Sequence, residues 1–244
     1  TCDRLATQAS HARHAFDLGV NLFDSADAYS GGEAERALGR ALAGLPRTRL
    51  VLATKCFFPM SDDPNDRGLS RKHVFESVEG SLRRLATDYL DLHQCHRADP
   101  ETPLEETVRA YEDLIRQGKV LYWGVSEWSE DQVARACRIA DATGGYRPIS
   151  NQPQYSLLHR GIERDLLGAH SRLGLGQIVW SPLAQGVLTG KYAGGARPEG
   201  SGITIAARAR FLEGLLSERN LARVDRMRPL AAELGVTAAQ LSLA

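Results

Sequence analysis

Four side chains of types that can move a proton stand at or just after the ends of short apolar runs. In chain order they are Asp24, Tyr29, Lys55 and His96. A phenol has a pKa of about 10, and an ammonium about 4 Å away favours the phenolate by about 4 kcal/mol at an effective dielectric of about 20. An aspartate would keep that lysine charged, and a histidine could orient a carbonyl. The set predicts proton donation by a tyrosine of lowered pKa, beside a hydride donor.

Taken singly, each residue also has a structural interpretation. Asp24 could cap a helix or lie in a loop, and Tyr29 could be a partly buried packing residue. Lys55 ends an apolar run, where burial without a partner would be costly. His93 and His96 point to opposite faces of a strand, so we expect no shared metal ion, and one of the two should be structural. The other histidines are predicted to be surface residues: His11, His14, His73, His159 and His170.

The elements that must position these residues alternate along the chain. The apolar runs predict strands at 20–24, 50–55, 89–92, 120–125, 149–154 and 178–180. Helical spacing predicts helices at 33–45, 73–85, 104–117, 130–142, 163–172 and 218–234, and one more from Thr237. Thr102 is predicted to cap the helix at 104. Repeated strand–helix units imply a parallel sheet with helices outside.

A closed (β/α)8 TIM barrel and an open doubly wound sheet both fit six such strands. The sequence has no Gly-x-Gly-x-x-Gly after its first strand, and its polar residues follow many different strands, so we favour the barrel. A barrel needs two more strands, so the first and last are expected to be missing from these residues. We predict a single domain over 1–244, with a long cofactor-side loop at 191–215.

Composition excludes several classes of protein. The chain has 244 residues, 43% of them hydrophobic, and 30 Lys+Arg balance 30 Asp+Glu, so no basic excess favours nucleic acid or a membrane surface. No apolar run approaches the ~20 residues of a membrane span. The four cysteines form no Cys-x-x-Cys pair, which predicts reduced thiols in a cytoplasmic protein. Gly186 to Lys191 lacks P-loop spacing, which excludes that type of NTPase.

Blocks of sequence over residues 16–192 resemble the aldo-keto reductases, and within them the branch that includes potassium-channel β subunits. They read GVNLFDSADAY (19–29), ATK (53–55), DYLDLHQCHR (88–97), GKV through GVS (118–126), NQPQY (151–155) and WSPLAQGVLTGKY (180–192). The resemblance implies a TIM barrel that binds NADPH across its C-terminal rim. It also implies a catalytic tetrad of Asp24, Tyr29, Lys55 and His96, which leaves His93 structural.

The same resemblance implies a set of cofactor contacts. Ser126 and Gln152 would bond the nicotinamide carboxamide, with Asn151 nearby, and Trp180 would stack on the nicotinamide ring. The diphosphate and adjoining ribose would be held by Lys191 and the turn of Ser181, Pro182, Leu183, Ala184 and Gly186. Glu127 replaces the Asn of many family members, so no side-chain contact is assigned to it. NADPH over NADH is implied by the family alone, so NADH is not excluded.

Two functions are open at this point. The first is reduction of an aldehyde, ketone or keto-sugar, a small-molecule carbonyl substrate. The alternative is an NADPH-binding, redox-sensing subunit that regulates a channel or another protein; the channel subunits have Asn at the tetrad histidine, so His96 favours the enzyme. The loops 57–69 and 127–129 would form substrate walls, and an aromatic-lined pocket is predicted from Phe57, Phe58, Met60 and Trp128. A homo-oligomer is possible.

Overall fold

The fold is a parallel α/β arrangement, described from a computed structural model of the chain. The structure describes residues 2–204 and 212–244, with side chains from residue 10 onward. The described part of the predicted loop 191–215 contains two 3-10 turns, Ala193–Gly195 and Gly202–Thr204. Residues 205–211 of that loop lie outside the described residues.

Six strands form one sheet in which every pair is parallel and every neighbour is the next strand in the sequence. They are β1 (Leu22–Asp24), β2 (Val51–Cys56), β3 (Leu90–Cys95), β4 (Val120–Ser126), β5 (Ser150–Gln152) and β6 (Gly176–Gln177). A doubly wound sheet reverses its strand order at a switch point, and this sheet has no reversal. The order is that of a (β/α)8 barrel, as predicted. Five predicted strands coincide with observed ones, whereas the strand expected at 178–180 is two residues too late.

Eight helices are described. They are α1 (Cys2–Asp17), α2 (Glu33–Leu42), α3 (Arg71–Leu85), α4 (Leu104–Arg116), α5 (Glu130–Thr143), α6 (Leu166–Leu173), α7 (Glu218–Glu233) and α8 (Ala238–Leu243). All but α1 were predicted from the apolar spacing, with ends that agree within a few residues. The signal in α1 is weak: its apolar face includes Ala12 and Phe16, one helical turn apart, which pack beside Phe23 of β1.

Local capping explains where several of these helices begin. Ser129 and Gln132 form a reciprocal capping box at α5. Ser70 caps α3 by accepting the His73 N–H at 3.2 Å. The predicted cap of α4 was wrong: Pro103 is its N-cap residue, and the Thr102 hydroxyl donates to Asp99 at 2.8 Å instead. Asp99 accepts that bond in the turn just before the helix, where its other carboxylate oxygen accepts the Glu101 N–H at 2.9 Å.

The alternation of side chains along the strands places Lys55 and Gln94 on the inner face of the sheet, away from the helices. Cys56 and Cys95 are register partners on β2 and β3, and both lie in the core cluster with Val74 and Val78 of α3. The next register pair, Lys55 and Gln94, must therefore project to the opposite face. Polar strand residues therefore occur on both faces: Lys55 and Gln94 on the inner one, and the register partners Thr54 and His93 on the outer one with the helices.

The chain divides into two compact units. The first comprises 1–152 and 169–177, which contain all six strands, and the second comprises 153–168 and 178–244. The second unit has its own apolar core, in which Val187, Leu188 and Tyr192 pack with Val224 of α7. None of the helices in the described ranges has the length and hydropathy needed to cross a membrane.

Candidate active site

An ion pair between a buried lysine and a partly exposed aspartate joins the ends of β1 and β2 in the first unit. The Lys55 ammonium donates to Asp24 Oδ2 at 2.5 Å and to the Ser25 carbonyl at 2.5 Å. Lys55 is 0% exposed, and burial lowers its pKa from 10.5, while the Asp24 carboxylate opposes that shift. Gln94 of β3 donates to the other oxygen of Asp24 at 3.2 Å. Asp24 therefore holds the lysine in place and compensates its charge.

Tyr29 lies in the turn between β1 and α2, beside this pair. The Lys55 ammonium is 5.2 Å from the centroid of the Tyr29 ring, and the ring is 43% exposed. The prediction of a lowered pKa was wrong in direction. Burial and the Asp24 carboxylate raise the pKa of Tyr29 above 10.0, and only the Arg97 charge opposes this. The phenol therefore keeps its proton at neutral pH.

His96 follows β3 and faces Tyr29. The two ring centroids are 5.7 Å apart with the planes at 76°, and the His96 backbone N–H donates to the Cys56 carbonyl at 3.0 Å. Burial, with the charges of Lys55 and Arg97, lowers the pKa of His96 from 6.5 to about 3. The imidazole is therefore neutral at physiological pH and can donate one hydrogen bond. Its Nδ1 is buried without a hydrogen-bond partner among the described residues.

His93 lies on the opposite face of β3, among the helices. Its Nδ1 is 2.9 Å from the Tyr111 hydroxyl of α4, and burial lowers its pKa to about 3. In the described ranges, no group of three His, Cys, Asp or Glu side chains could hold a metal ion. Two histidines predicted to be surface residues are in fact buried, His73 in α3 and His170 in α6. Each faces inward on its helix, a placement that the helical spacing of apolar residues alone did not reveal.

Two buried carboxylates behind the tetrad were missed by the sequence reading. Asp27 accepts the Ala28 N–H at 2.6 Å and the Ser77 hydroxyl at 2.8 Å, which fixes the turn that carries Tyr29. Glu35 of α2 accepts the Thr54 hydroxyl at 2.5 Å and the Arg84 guanidinium at 2.5 Å. Charged residues are usually exposed, so there was little reason in the sequence to expect two buried carboxylates. The one signal was that Asp27 lies two residues before Tyr29.

The predicted carboxamide-binding residues lie at the ends of β4 and β5. Ser126 and Gln152 are register partners, and the Ser126 hydroxyl donates to the Gln152 carbonyl at 2.8 Å. Asn151 lies one residue earlier in β5, on the outer face with Val125, where its amide donates to the Trp128 carbonyl at 2.9 Å. This placement favours packing for Asn151 over the cofactor contact that the resemblance implies.

The aromatic residues of the predicted substrate walls are placed differently from one another. The Phe58 ring is 4.8 Å from the His96 ring at 75°, and Phe57 packs edge-on against Phe58 and against the core. Trp128 is 2% exposed and belongs to the core among the helices, where it also lines a cavity with Leu104 and Thr107 of α4. Its place in the substrate pocket stays a prediction. Of this set, Phe58 lies beside the tetrad.

The second unit contains the predicted diphosphate-binding turn. Ser181, Ala184, Gln185 and Gly186 all have positive φ, and the N–H groups of Ala184 and Gly186 donate to the Ser181 and Leu183 carbonyls within the turn. A Cβ at Gly186 would lie 2.8 Å from the ammonium of Lys191, so the glycine leaves the space that this cation occupies. The Lys191 cation beside this turn can pair with a phosphate, so the role of the turn in diphosphate binding stays a prediction. Trp180, just before it, pairs with Gln154 in a parallel bridge.

Fold and site together define a barrel-type protein whose polar residues lie at the carboxyl ends of its strands. Residues 5–244 match the sequence model of the Aldo/keto reductase family, and the chain belongs to that family. The family consists of NAD(P)H-dependent oxidoreductases with the (β/α)8 fold, and it typically uses NADP(H). Membership confirms the predicted fold class and the prediction of an oxidoreductase.

Three curated relatives are similar over most of the chain. A protein of Oryza sativa subsp. japonica is 45% identical over 93% of this chain and 70% of its own length, and one of Arabidopsis thaliana is 44% identical over the same shares. Both are named probable voltage-gated potassium channel subunit beta. A relative from Schizosaccharomyces pombe, named a putative subunit of the same kind, is 42% identical over 95% of this chain and 69% of its own length.

Proposed function

We propose that the chain reduces an aldehyde, ketone or keto-sugar to an alcohol with NADPH, and that Tyr29 donates the proton. The observation that carries this proposal is the grouping of Tyr29, Lys55 and His96 within one unit, with Lys55 neutralised by Asp24. In this family NADPH supplies the hydride when bound. Every other step falls to side chains of the chain itself.

The neutral His96 imidazole donates a hydrogen bond to the substrate carbonyl and holds it beside the Tyr29 phenol. As the carbonyl carbon is reduced, its oxygen becomes an alkoxide, which is a stronger base than a phenolate. Tyr29 therefore protonates that oxygen even with a raised pKa, and the raised pKa keeps the phenol loaded. Lys55 then stabilises the phenolate until water returns a proton.

Each unit, taken by itself, contains candidate contacts for the cofactor. Ser126 and Gln152 would hydrogen-bond the carboxamide, and Trp180 would stack on the nicotinamide. The backbone from Ser181 through Pro182, Leu183 and Ala184 to Gly186, together with Lys191, would bind the diphosphate. We infer NADPH rather than NADH from family membership, and separate titrations with the two cofactors test this choice.

The test is NADPH consumption, followed by absorbance, with a panel of aldehydes, ketones and keto-sugars. Tyr29→Phe should lower kcat by at least about 100-fold, because it removes the donated proton and keeps the ring. Tyr146→Phe is the matched control, since Tyr146 is exposed at the end of the loop after α5. Unchanged turnover in Tyr29→Phe would contradict the proposal.

A second candidate is an NADPH-binding, redox-sensing regulatory subunit of a channel or other partner. The names of the three relatives favour it. Stable co-purification with a voltage-gated potassium channel, with tight NADPH binding and negligible turnover on the whole panel, would support this function over the first. Turnover that depends on Tyr29 would support the reductase.

A further inference from the structure

Arg97 places a cation beside the tetrad. It directly follows His96, and its guanidinium carbon is 5.6 Å from the centroid of the Phe58 ring, the same ring that packs against His96. Its positive charge acts on both reacting side chains. It opposes the rise in the pKa of Tyr29 and contributes to the lowering of the pKa of His96. Arg97 is partly exposed, so a bound molecule can reach it.

No carboxylate compensates this charge within the ranges that the structure describes. None of the ion pairs there includes Arg97. The nearest acid in the sequence is Asp99, whose oxygens accept bonds from Leu69, Glu101 and Thr102. By contrast, Asp24 neutralises Lys55 at 2.5 Å. Arg97 is therefore a cation beside the reacting groups that has no ion-pair partner among the described residues.

The guanidinium also has unused hydrogen-bond donors. One Nη donates to the His96 carbonyl at 2.5 Å, which fixes the side chain relative to the tetrad. A guanidinium has five N–H donors in a planar fork that matches a carboxylate or a phosphate. The Phe58 ring limits solvent on one side, and an ionic hydrogen bond is stronger where water is partly excluded.

We propose that Arg97 is a specificity-determining residue that selects carbonyl substrates carrying an anionic group, a carboxylate or a phosphate, a few bonds from the carbonyl. The proposal rests on the reductase function proposed above and names its substrate class. A neutral aldehyde would still meet Tyr29 and His96, but it would leave the Arg97 guanidinium desolvated without a partner, which costs binding free energy.

The test compares each of the ortho, meta and para carboxybenzaldehydes with its neutral methyl ester, which keeps the ring and the aldehyde. For the best-placed isomer, the ratio of kcat/KM for acid over ester should fall by about 10- to 100-fold in Arg97→Gln, mainly through KM. Arg97→Lys keeps the charge without the fork, so its ratio should lie between the two. Arg83→Gln, an exposed arginine of α3 outside the site, should leave the ratio unchanged.

Equal ratios in the wild type and Arg97→Gln for all three isomers would overturn the proposal. Absence of turnover on every aldehyde and ester would instead be a failure of the reductase function. In that case, calorimetric titration of the NADPH-loaded protein with benzoate and with methyl benzoate still decides the matter. Benzoate binding that is weaker in Arg97→Gln supports the anion site, and equal binding overturns it. Ester turnover or, failing that, the thermal midpoint of each variant shows that the fold is retained.

Discussion

At the scale of single residues, the buried carboxylate behind Tyr29 destabilises the folded state when it is ionised. Asp27 is 1% exposed, and desolvation, helped by the Glu35 charge, raises its pKa from 3.8 to about 6, although Ser77 and Ala28 donate hydrogen bonds to it. A carboxyl whose pKa is higher in the folded state binds protons more tightly there. Its contribution to stability is therefore full below about pH 3.8 and is lost as pH rises through about 6.

Asp27→Asn should remove this loss of stability at higher pH, because an amide does not ionise. The amide can accept from the Ala28 N–H and donate to the Ser77 hydroxyl, so the turn that carries Tyr29 keeps its bonds. The free energy of unfolding of the variant minus that of the wild type should grow by about 2 kcal/mol between about pH 4.5 and about pH 7.5. Urea unfolding at the two pH values measures this difference, with exposed Asp62→Asn as the control. A difference that is constant or shrinks with pH would contradict the assignment.

At the scale of elements, two glycines in neighbouring helices differ in what lies against them. One lies close to backbone atoms, and the other lies close to a side chain. A Cβ at Gly39 of α2 would lie 2.7 Å from the Leu85 carbonyl oxygen of α3, which is backbone. A Cβ at Gly80 of α3 would lie 2.8 Å from a guanidinium nitrogen of Arg84, the far end of a long side chain. An alanine at Gly39 would therefore push α2 and α3 apart. An alanine at Gly80 could be accommodated by a small movement of the Arg84 side chain.

Gly39→Ala should therefore destabilise the chain by about 1–3 kcal/mol, although alanine is the better helix former by about 1 kcal/mol. Gly80→Ala gains the same helical propensity, and its free energy of unfolding should stay within about 1 kcal/mol of the wild type. Denaturant unfolding of the two variants in parallel measures both values. Equal losses in the two would mean that helix separation does not limit this interface.

The elements themselves were largely predictable because β1 to β4 contain apolar runs and most helices have a regular apolar stripe, whereas β6 consists of Gly176 and Gln177 and was predicted two residues too late. The barrel order followed from polar residues at successive strand ends, and that rule also predicted the grouping of Asp24, Tyr29, Lys55 and His96. Alternation could have placed Asn151 as well, since it neighbours Gln152 in one strand. The burial of Asp27 and the side-chain direction of Arg97 depend on contacts with α3 and with Phe58, which no periodicity in the sequence encodes.

At the scale of the whole chain, the net charge of the folded protein changes less with falling pH than seven histidines of ordinary pKa would make it change. Burial lowers the pKa of four of them, His73, His93, His96 and His170. Unfolding exposes these rings, which then take up protons below their ordinary pKa of 6.5. Their contribution to stability is therefore present above about pH 6.5 and is lost as pH falls toward about 3 for His93 and His96. This pH dependence of stability is opposite in sign to that of Asp27, and the four histidines all contribute to it.

His93→Gln tests this source of acid sensitivity away from the reacting groups. Glutamine does not titrate and can still bond the Tyr111 hydroxyl, so it removes the proton uptake of one buried ring. The free energy of unfolding of the variant minus that of the wild type should rise by about 3 kcal/mol between about pH 7.5 and about pH 4.5. Urea unfolding at both pH values measures it, with the exposed His159→Gln as matched control. If the difference does not change as the pH falls, His93 is not a source of the acid instability, and the neutral state assigned to its buried ring would have to be given up.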